Sequence, residues 1–324
     1  MEVFITILED LWEGLLAPFY YFIDPSKRLN LIYLFSSTLL AYYVYKKAKT
    51  TIPFYRYLFN KKVWLSKSAF IDYKYLFFNG IIKILLIAPI FVAWRYVGVE
   101  TNDFLEETFN ASSVSLSKNQ VIIFYSLSLV IAYDLVFYLW HLAMHKSPFL
   151  WEFHKIHHSA TSLNPITQYR LHPVELIANN AALFLVSALL KGVFDYFYQG
   201  SIELVTYAEV NIFAMLFLFW GANLRHSHVK LKYFSRLEKI FISPRQHQIH
   251  HSDNPLHFNK NMGAKLAVWD RIFGTLLRSK DAEKIKFGLG KSEVKDYNTF
   301  FKTLYIPFKN ITKYIIGLFS SSKR

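Results

Sequence analysis

The chain has no cysteine among its 324 residues, and it is also poor in glycine (11) and proline (10). The absence of thiols excludes disulfides, a thiolate zinc site, a protein-ligated iron–sulfur cluster, a thiolate-bound haem and a cysteine nucleophile. Few glycines and prolines, together with 53% apolar and 19% aromatic residues, argue against disorder. A mean hydropathy of +0.20 indicates membrane spans combined with a polar part.

Long apolar runs predict an all-α integral membrane protein with about four to five transmembrane helices. Each run has roughly 16 to 22 residues, against the ~20 that a helix needs to cross the hydrocarbon. The runs cover residues 29–44, 75–96, 121–140, 174–190 and 202–220. Residues 1–21 carry four acidic residues where a signal peptide would be basic, so we predict an amphipathic interfacial helix there.

Loop charges predict the orientation of these spans. The loop 45–74 is rich in lysine and arginine, whereas the loop 97–120 is mainly acidic. The positive-inside rule therefore places the first loop, the segment 141–172 and the C-terminal third in the cytoplasm. The formal net charge of +14 is then explained by anionic lipid headgroups, and no nucleic-acid partner is predicted, because no nucleic-acid motif accompanies the charge.

The histidines are the most informative residues of the sequence. All 12 lie between residues 141 and 257. His141 and His145 end the third predicted span at i, i+4 spacing. The string His-x-Ile-His-His-Ser then occurs twice, 93 residues apart, and contributes two triplets: His154, His157 and His158, and His247, His250 and His251.

Helical geometry gives this spacing a chemical meaning. Positions i, i+3 and i+4 lie within about 100° of a helix, so each triplet is predicted to point three imidazoles at one place. Ser243, Pro244 and Gln246 predict a capping box that starts the second helix. Eight histidines exceed the four ligands of a single tetrahedral zinc, so we predict two metal ions, one associated mainly with each repeat.

Four other residues are candidates on weaker grounds. His226 and His228 follow the fifth span, and one or both complete the site in this hypothesis. His172 is either a ligand or the N-cap of the helix that Pro173 opens, with Glu175 at its third position.

Asp134 lies seven residues before His141, on nearly the same face of a membrane helix. A lone carboxylate there needs a partner, and the hypothesis is that it accepts a hydrogen bond from a ligand imidazole.

Taken in order, these motifs resemble the fatty acid hydroxylase / sterol desaturase superfamily. The resemblance rests on His-x-x-x-His at a span end, Leu150-Trp-Glu-Phe-His-Lys-Ile-His-His-Ser-Ala, Arg-x-His-Pro-x-Glu, Arg-His-Ser-His, and Asn261 to Thr275 with Trp269-Asp270 and Gly274-Thr275. It covers about residues 120–290. Within the superfamily the chain is most similar to the bacterial sterol-desaturase-like branch, which also resembles alkylglycerol monooxygenase.

The resemblance implies a membrane-embedded non-haem di-iron oxygenase that hydroxylates or desaturates a lipid C–H bond with O2 and two electrons. Its implied iron ligands are His141, His145, His154, His157, His158, His226, His247, His250 and His251. Apart from the resemblance, His172 and His228 stay candidate ligands, and Asp134 and Glu175 stay candidate catalytic residues. One departure concerns His228, which stands where the family pattern leads us to expect Asn. The stretch Trp269 to Thr275 is implied to be structural.

Three further expectations complete the prediction. An external ferredoxin, cytochrome or pterin supplies the electrons, because no cysteine and no dinucleotide-type loop is present. The chain divides into an N-terminal membrane and interfacial region (1–119), a catalytic domain (120–290) and an amphipathic basic tail (291–324). The alternatives are a membrane zinc hydrolase, which lacks its His-Glu-x-x-His motif here, and a metal transporter, which would place its ligands along a path through the bilayer.

Overall fold

The computed structural model describes residues 2–112, 114–198, 212–282, 284–290 and 293–321, and this part of the chain contains helices but no strand. The predicted all-α class is therefore confirmed. The helices are α1 (Glu2–Tyr20), α2 (Leu31–Lys47), α3 (Phe54–Leu58), α4 (Lys61–Trp64), α5 (Lys67–Ile82), α6 (Ala88–Phe109), α7 (Lys118–Lys146), α8 (Pro148–His158), α9 (Pro173–Tyr198), α10 (Ile212–Phe219), α11 (Pro244–His250), α12 (Val268–Ile272) and α13 (Phe300–Ser321).

Three helices of the described ranges are long and apolar enough to cross a membrane. They are α7, α9 and the continuous helix Lys67–Phe109, in which a π-helical turn, Lys83–Ile87, joins α5 to α6. The predicted runs 75–96, 121–140 and 174–190 lie inside them. The run 29–44 forms α2, whose 17 residues fall short of the ~20 that a span needs. Of the fifth predicted span, residues 202–211 lie outside the described residues.

Helix α2 packs against the segment that follows α10. Its buried Ala41 packs in one cluster with Leu224, Val229 and Leu231, which belong to the polar part of the fold. Asn30 caps the helix by accepting a hydrogen bond from the amide of Ile32. The transmembrane role of α2 stays a prediction.

Capping residues start the helices that carry histidines. Ser147 and Pro148 begin α8 directly after α7 ends, and the Ser147 hydroxyl accepts from the Leu150 amide at 3.4 Å. Ser243 and Gln246 form a reciprocal capping box at the start of α11, which confirms that prediction. The positions of the two histidine triplets on their helices are therefore fixed by local sequence.

The cap, defined here as residues 147–172 and 221–282, sits where α7 ends and α9 begins. His154 on α8 contacts both His141 near the end of α7 and Glu175 in the first turn of α9. Buried Arg170 of the cap binds Asp72 near the start of α5. Because these helix ends meet at the cap, side chains from all of them can reach one centre.

The C-terminal helix α13 packs across the outside of α8. Phe149 and Phe153 of α8 contact Tyr314 and Phe308 of α13, with ring centroids 5.1 and 5.4 Å apart. Phe301 of α13 is exposed whereas Thr303 is buried, as expected for the predicted amphipathic segment. The boundaries at residues 119/120 and 290/291 stay predictions.

Candidate metal centre

Nine histidines meet at the junction of the cap with the spanning helices. They come from the end of α7, from α8, from the turn after α10 and from α11 with its C-cap residue, and all are buried except the half-buried His145. They are His141, His145, His154, His157, His158, His226, His247, His250 and His251. The structure thus brings together all nine residues that the sequence nominated as principal ligands.

The nine imidazoles form two groups. Site A contains His141, His145, His154, His158 and His250; site B contains His157, His226, His247 and His251. Within each group the ligand nitrogens lie within 4.8 Å of one another. The sites are adjacent, since the rings of His158 in site A and His251 in site B stack with centroids 4.6 Å apart.

The division of the triplets differs from the prediction that each serves one place. In both triplets the first and last histidines, i and i+4, belong to one site, and the middle histidine, i+3, belongs to the other. On a helix i+4 lies about 40° from i on one side and i+3 about 60° on the other, so i+3 and i+4 diverge by about 100°. His157 therefore joins site B, and His250 joins site A.

The proton positions in site A test whether a metal fits. His141 Nδ1 donates to the carbonyl oxygen of Met262, and His154 Nδ1 donates to Glu175 Oε1, both at 2.8 Å. A neutral imidazole carries one N–H, so both Nε2 atoms present lone pairs, and these atoms are 3.0 Å apart. Two facing lone pairs repel unless a cation lies between them. The arrangement fits a shared metal ion.

His250 and His145 extend this arrangement. His250 Nδ1 donates to the carbonyl oxygen of Lys260 at 3.0 Å, which leaves its Nε2 as an acceptor. The Nε2 atoms of His145 and His250 are buried and have no hydrogen-bond partner in the part of the chain that the structure describes. Orphaned buried acceptors in a group of imidazoles are what a ligand set without its ion presents.

Site B has the same converging geometry. His226 Nε2 lies 3.1 Å from His157 Nε2, 3.1 Å from His251 Nε2 and 3.0 Å from His247 Nε2. One nitrogen with a single proton or lone pair cannot make three hydrogen bonds, so this convergence also fits a metal ion. Both sites consist of imidazoles alone, a donor set that suits iron, copper, nickel or zinc.

Burial keeps the cap histidines neutral, as metal binding requires. Desolvation, reinforced by neighbouring imidazoles, lowers the pKa of His157 to about 3. It also holds the pKa values of other cap ligands well below the ordinary value of 6.5: His154, His158, His226, His247, His250 and His251. At neutral pH each of these rings is uncharged, so the nitrogen that carries no proton has a lone pair for an ion.

Asp134 requires a correction. Its carboxylate accepts hydrogen bonds from the amides of Lys265 and Leu266, at 2.7 and 2.9 Å, and from the indole of Trp269 at 3.1 Å. The expected bond to a ligand imidazole is wrong, because the nearest ligand on its helix, His141, donates instead to Met262. Asp134 therefore fastens the cap to α7.

Asp270 holds the segment that orients one ligand of site A. Its side chain accepts from the amides of Met262 and Gly263, at 2.8 and 2.9 Å, and from the Thr275 hydroxyl at 2.6 Å. The Met262 carbonyl in turn receives the His141 proton. The stretch from Trp269 to Thr275 thus lies beside the site, contributes no ligand and positions one.

Of the two tentative histidines, neither lies in a site. His172 caps α9, since its Nδ1 accepts from the Val174 amide at 3.1 Å while its Nε2 donates to the Leu304 carbonyl at 3.1 Å. His228 Nε2 donates to the Tyr57 carbonyl at 2.6 Å. The ligand interpretation of both residues is therefore wrong, and the capping interpretation of His172 describes it.

Arg225 was not singled out from the sequence. Its Nη2 lies 3.0 Å from His247 Nδ1, and it also binds the carbonyl oxygens of Ala264 and Gly263. Burial lowers its pKa to about 9, so the guanidinium stays charged at neutral pH. Its position directly before His226 could have marked Arg225 as a neighbour of the site, but nothing in the sequence shows which imidazole its side chain contacts.

A cavity of about 270 Å³ opens beside site A. Its floor includes His145, His158 and His250, and its walls include Trp151, Phe258 and Glu293. The Trp151 ring lies 5.0 Å from that of His145. Small molecules can reach site A through this opening.

Comparison with known proteins gives the family context. Residues 126–275 match the family model for fatty acid hydroxylase. The chain is 29% identical to alkylglycerol monooxygenase of Caenorhabditis elegans over 175 residues, which are 54% of this chain and 30% of that protein. It is 31% identical over 153 residues to an ornithine lipid hydroxylase of Rhizobium tropici, covering 46% and 40% of the two chains.

A third relative is human cholesterol 25-hydroxylase, 30% identical over 149 residues, which are 45% of this chain and 49% of that protein. The chain thus spans less than half the length of each of these relatives. No solved structure gives a significant match.

Proposed function

This chain belongs to the fatty acid hydroxylase / sterol desaturase superfamily, and we propose that it is a membrane-bound di-iron oxygenase that hydroxylates a lipid C–H bond. The observation that carries the proposal is the pair of adjacent all-imidazole groups, five and four histidines, at the ends of apolar helices. Two bound irons would supply the chemistry, in which O2, two electrons and two protons convert the C–H group to C–OH and release one water molecule.

The chain's own residues prepare the site for that chemistry. Hydrogen bonds to Met262, Glu175 and Lys260 fix the rings of three site A histidines with Nε2 inward. Neutral imidazoles leave the charge of the ions uncompensated, which favours binding of anionic oxygen species. Eight of the nine ligand rings are buried, which limits the access of bulk water to them.

The position of the site suits a lipid substrate. His141 and His145 lie in the last two turns of α7, and Glu175 lies in the first turn of α9, so the centre meets the end of two candidate spans. A chain lying along these helices would bring its C–H bonds to the cap without leaving the bilayer. The relatives are named as hydroxylases and a monooxygenase, which favours hydroxylation over desaturation.

The orientation and the electron supply are parts of the same proposal. The basic loop 45–74 lies at the cap end, since Asp72 binds Arg170 and Ser66 contacts Ser162. By the positive-inside rule the cap then faces the cytoplasm. An external ferredoxin, cytochrome or pterin supplies the two electrons, and we expect the purified chain with O2 alone to give no sustained turnover.

The test begins with metal content. Protein purified in detergent from iron-supplied cells should contain about two irons per chain by elemental mass spectrometry. Lipids of cells that express the chain should gain a species with one added oxygen atom, and cells expressing His154→Ala or His247→Ala should not. His228→Asn is the matched control, because His228 lies outside both sites.

One zinc and no iron after iron supplementation would support a hydrolase instead, and metal uptake into vesicles without lipid oxidation would support a transporter.

A further inference from the structure

The two sites are backed by different side chains, an acidic one behind site A and a basic one behind site B. Glu175 bonds to a histidine of site A, and Arg225 bonds to a histidine of site B. We propose that this pair ranks the sites, so that site A holds its metal tightly and fills first, while site B holds its metal weakly and fills last. The inference rests on the proposed function, because it concerns the two ions of that centre.

Site A is prepared for a cation. Glu175 and His154 are both buried, and the carboxylate holds the His154 proton on Nδ1. A carboxylate behind a ligand imidazole raises the electron density at the inward Nε2 and offsets part of the ion's charge. His141 and His250 are held with the same nitrogen inward by backbone carbonyls, so three of five ligands are preset.

Site B is prepared less well. A guanidinium can only donate, so the contact from Arg225 Nη2 makes His247 Nδ1 the acceptor. The proton of that neutral ring is then on Nε2, the atom that lies 3.0 Å from His226 Nε2 and 3.1 Å from His251 Nε2. His247 must give up this arrangement before Nε2 can bind a metal.

The charge of Arg225 acts in the same direction. Arg225 is buried, and its hydrogen bonds in the described part of the chain go to His247 and to the carbonyl oxygens of Ala264 and Gly263. A buried positive charge one ring away from a metal ion repels it, and little water is present to screen the repulsion. Site B also has one ligand fewer than site A.

Release of iron measures the ranking without any assay of activity. Protein loaded anaerobically with two iron(II) ions would be mixed with a coloured iron(II) chelator, and we expect two phases of equal amplitude. His226→Ala, which removes a ligand of site B, should abolish the fast phase, and His158→Ala, in site A, should abolish the slow one. Mössbauer spectra of protein given one ⁵⁷Fe per chain should show one environment, the same that remains after the fast phase.

Variants of the two charged residues test their roles. Glu175→Gln should accelerate the slow phase roughly 10- to 100-fold. Arg225→Gln should slow the fast phase about tenfold, a gain in retention that mere loss of structure cannot produce, and Arg225→Lys should leave it fast. The controls are Glu152→Gln, a carboxylate on α8 that bonds Lys155, and Arg245→Gln, a buried arginine on α11 that bonds the Ala282 carbonyl.

The outcomes separate this inference from the function. Failure to bind two irons would overturn the proposed di-iron function. Two irons that leave at a single rate, a one-iron sample with two environments, or faster release from Arg225→Gln would overturn the ranking and leave the function standing.

Discussion

At the scale of single residues, Asp134 shows how a buried carboxylate acts through backbone. It accepts three N–H groups, from Lys265, Leu266 and Trp269. Asp134→Asn would set an amide donor against some of these donors, and each one left unpaired costs about 1–3 kcal/mol. We expect a lower unfolding temperature in detergent with the iron content per folded chain unchanged. Loss of iron without loss of stability would instead return Asp134 to the metal centre.

We expect the packing of α13 to depend on pH, because His172 contacts the Leu304 carbonyl of that helix. Burial lowers the pKa of His172 to about 4, against 6.5 in the unfolded chain, although the hydrogen bond to the Leu304 carbonyl acts in the opposite direction. The unfolded state binds the proton more readily, so the stability is fully present above pH 6.5 and is lost as pH falls towards 4. Hydrogen exchange at Val174 and in α13 should therefore accelerate across that window.

A variant of the same residue provides the control. His172→Asn keeps an N-cap acceptor but does not titrate, so the acceleration between pH 6.5 and 4 should be reduced. An equal acceleration in both proteins would assign the effect to another group.

At the scale of elements, the contact between α6 and α9 depends on two glycines. A Cβ on Gly192 would overlap the Gly98 carbonyl oxygen and the Thr101 side chain. Ala normally stabilises a helix relative to Gly by about 1 kcal/mol. Gly192→Ala should instead destabilise the protein by about 1–3 kcal/mol, because the added Cβ overpacks this contact. Thermal unfolding of the variant measures whether its stability falls. Gly317→Ala, where a Cβ on α13 meets nothing within 4 Å, should not destabilise.

The same scale shows how far the sequence could predict the fold. Apolar length predicted α7, α9 and the second run correctly, and the Ser243–Gln246 capping box formed as expected. The run 29–44 forms α2, which buries Ala41 against Leu224 but exposes Leu31, Phe35 and Leu39, so its transmembrane role stays a prediction. Apolar length alone could not show which face of α2 meets the cap.

Within the site, local spacing predicted which histidines gather but not how they divide. The i, i+3, i+4 pattern fixes angles about one helix, whereas membership of a site depends on where the second helix lies. His157 and His250 changed sites for this reason. The partners that set their proton positions, such as the carbonyls of Arg170 and Lys260, are backbone groups and leave no trace in residue identity.

At the scale of the whole molecule, two ions would link four separate parts of the chain: α7, α8, the turn at His226 and α11. Removal of both ions should leave imidazole lone pairs facing one another without a cation, and it should weaken the packing of the cap. Binding at about 100 times the dissociation constant contributes about 2.7 kcal/mol per ion, so removal of both ions should lower the unfolding temperature by roughly 5–10 °C. Scanning calorimetry before and after chelation measures this. An identical shift in His154→Ala, which lacks a ligand of site A, would contradict the link.

The middle histidine of each triplet belongs to the site of the other triplet, and this determines when the ligand sets become complete during protein synthesis. Four ligands of site A are made by residue 158, but the fifth, His250, follows 92 residues later, and site B needs His226, His247 and His251 to join His157. At about 5–20 residues per second, ribosomes take roughly 5–20 s to cover that interval. Neither ligand set is complete until the second repeat has emerged, so a nascent chain interrupted before it carries no finished centre.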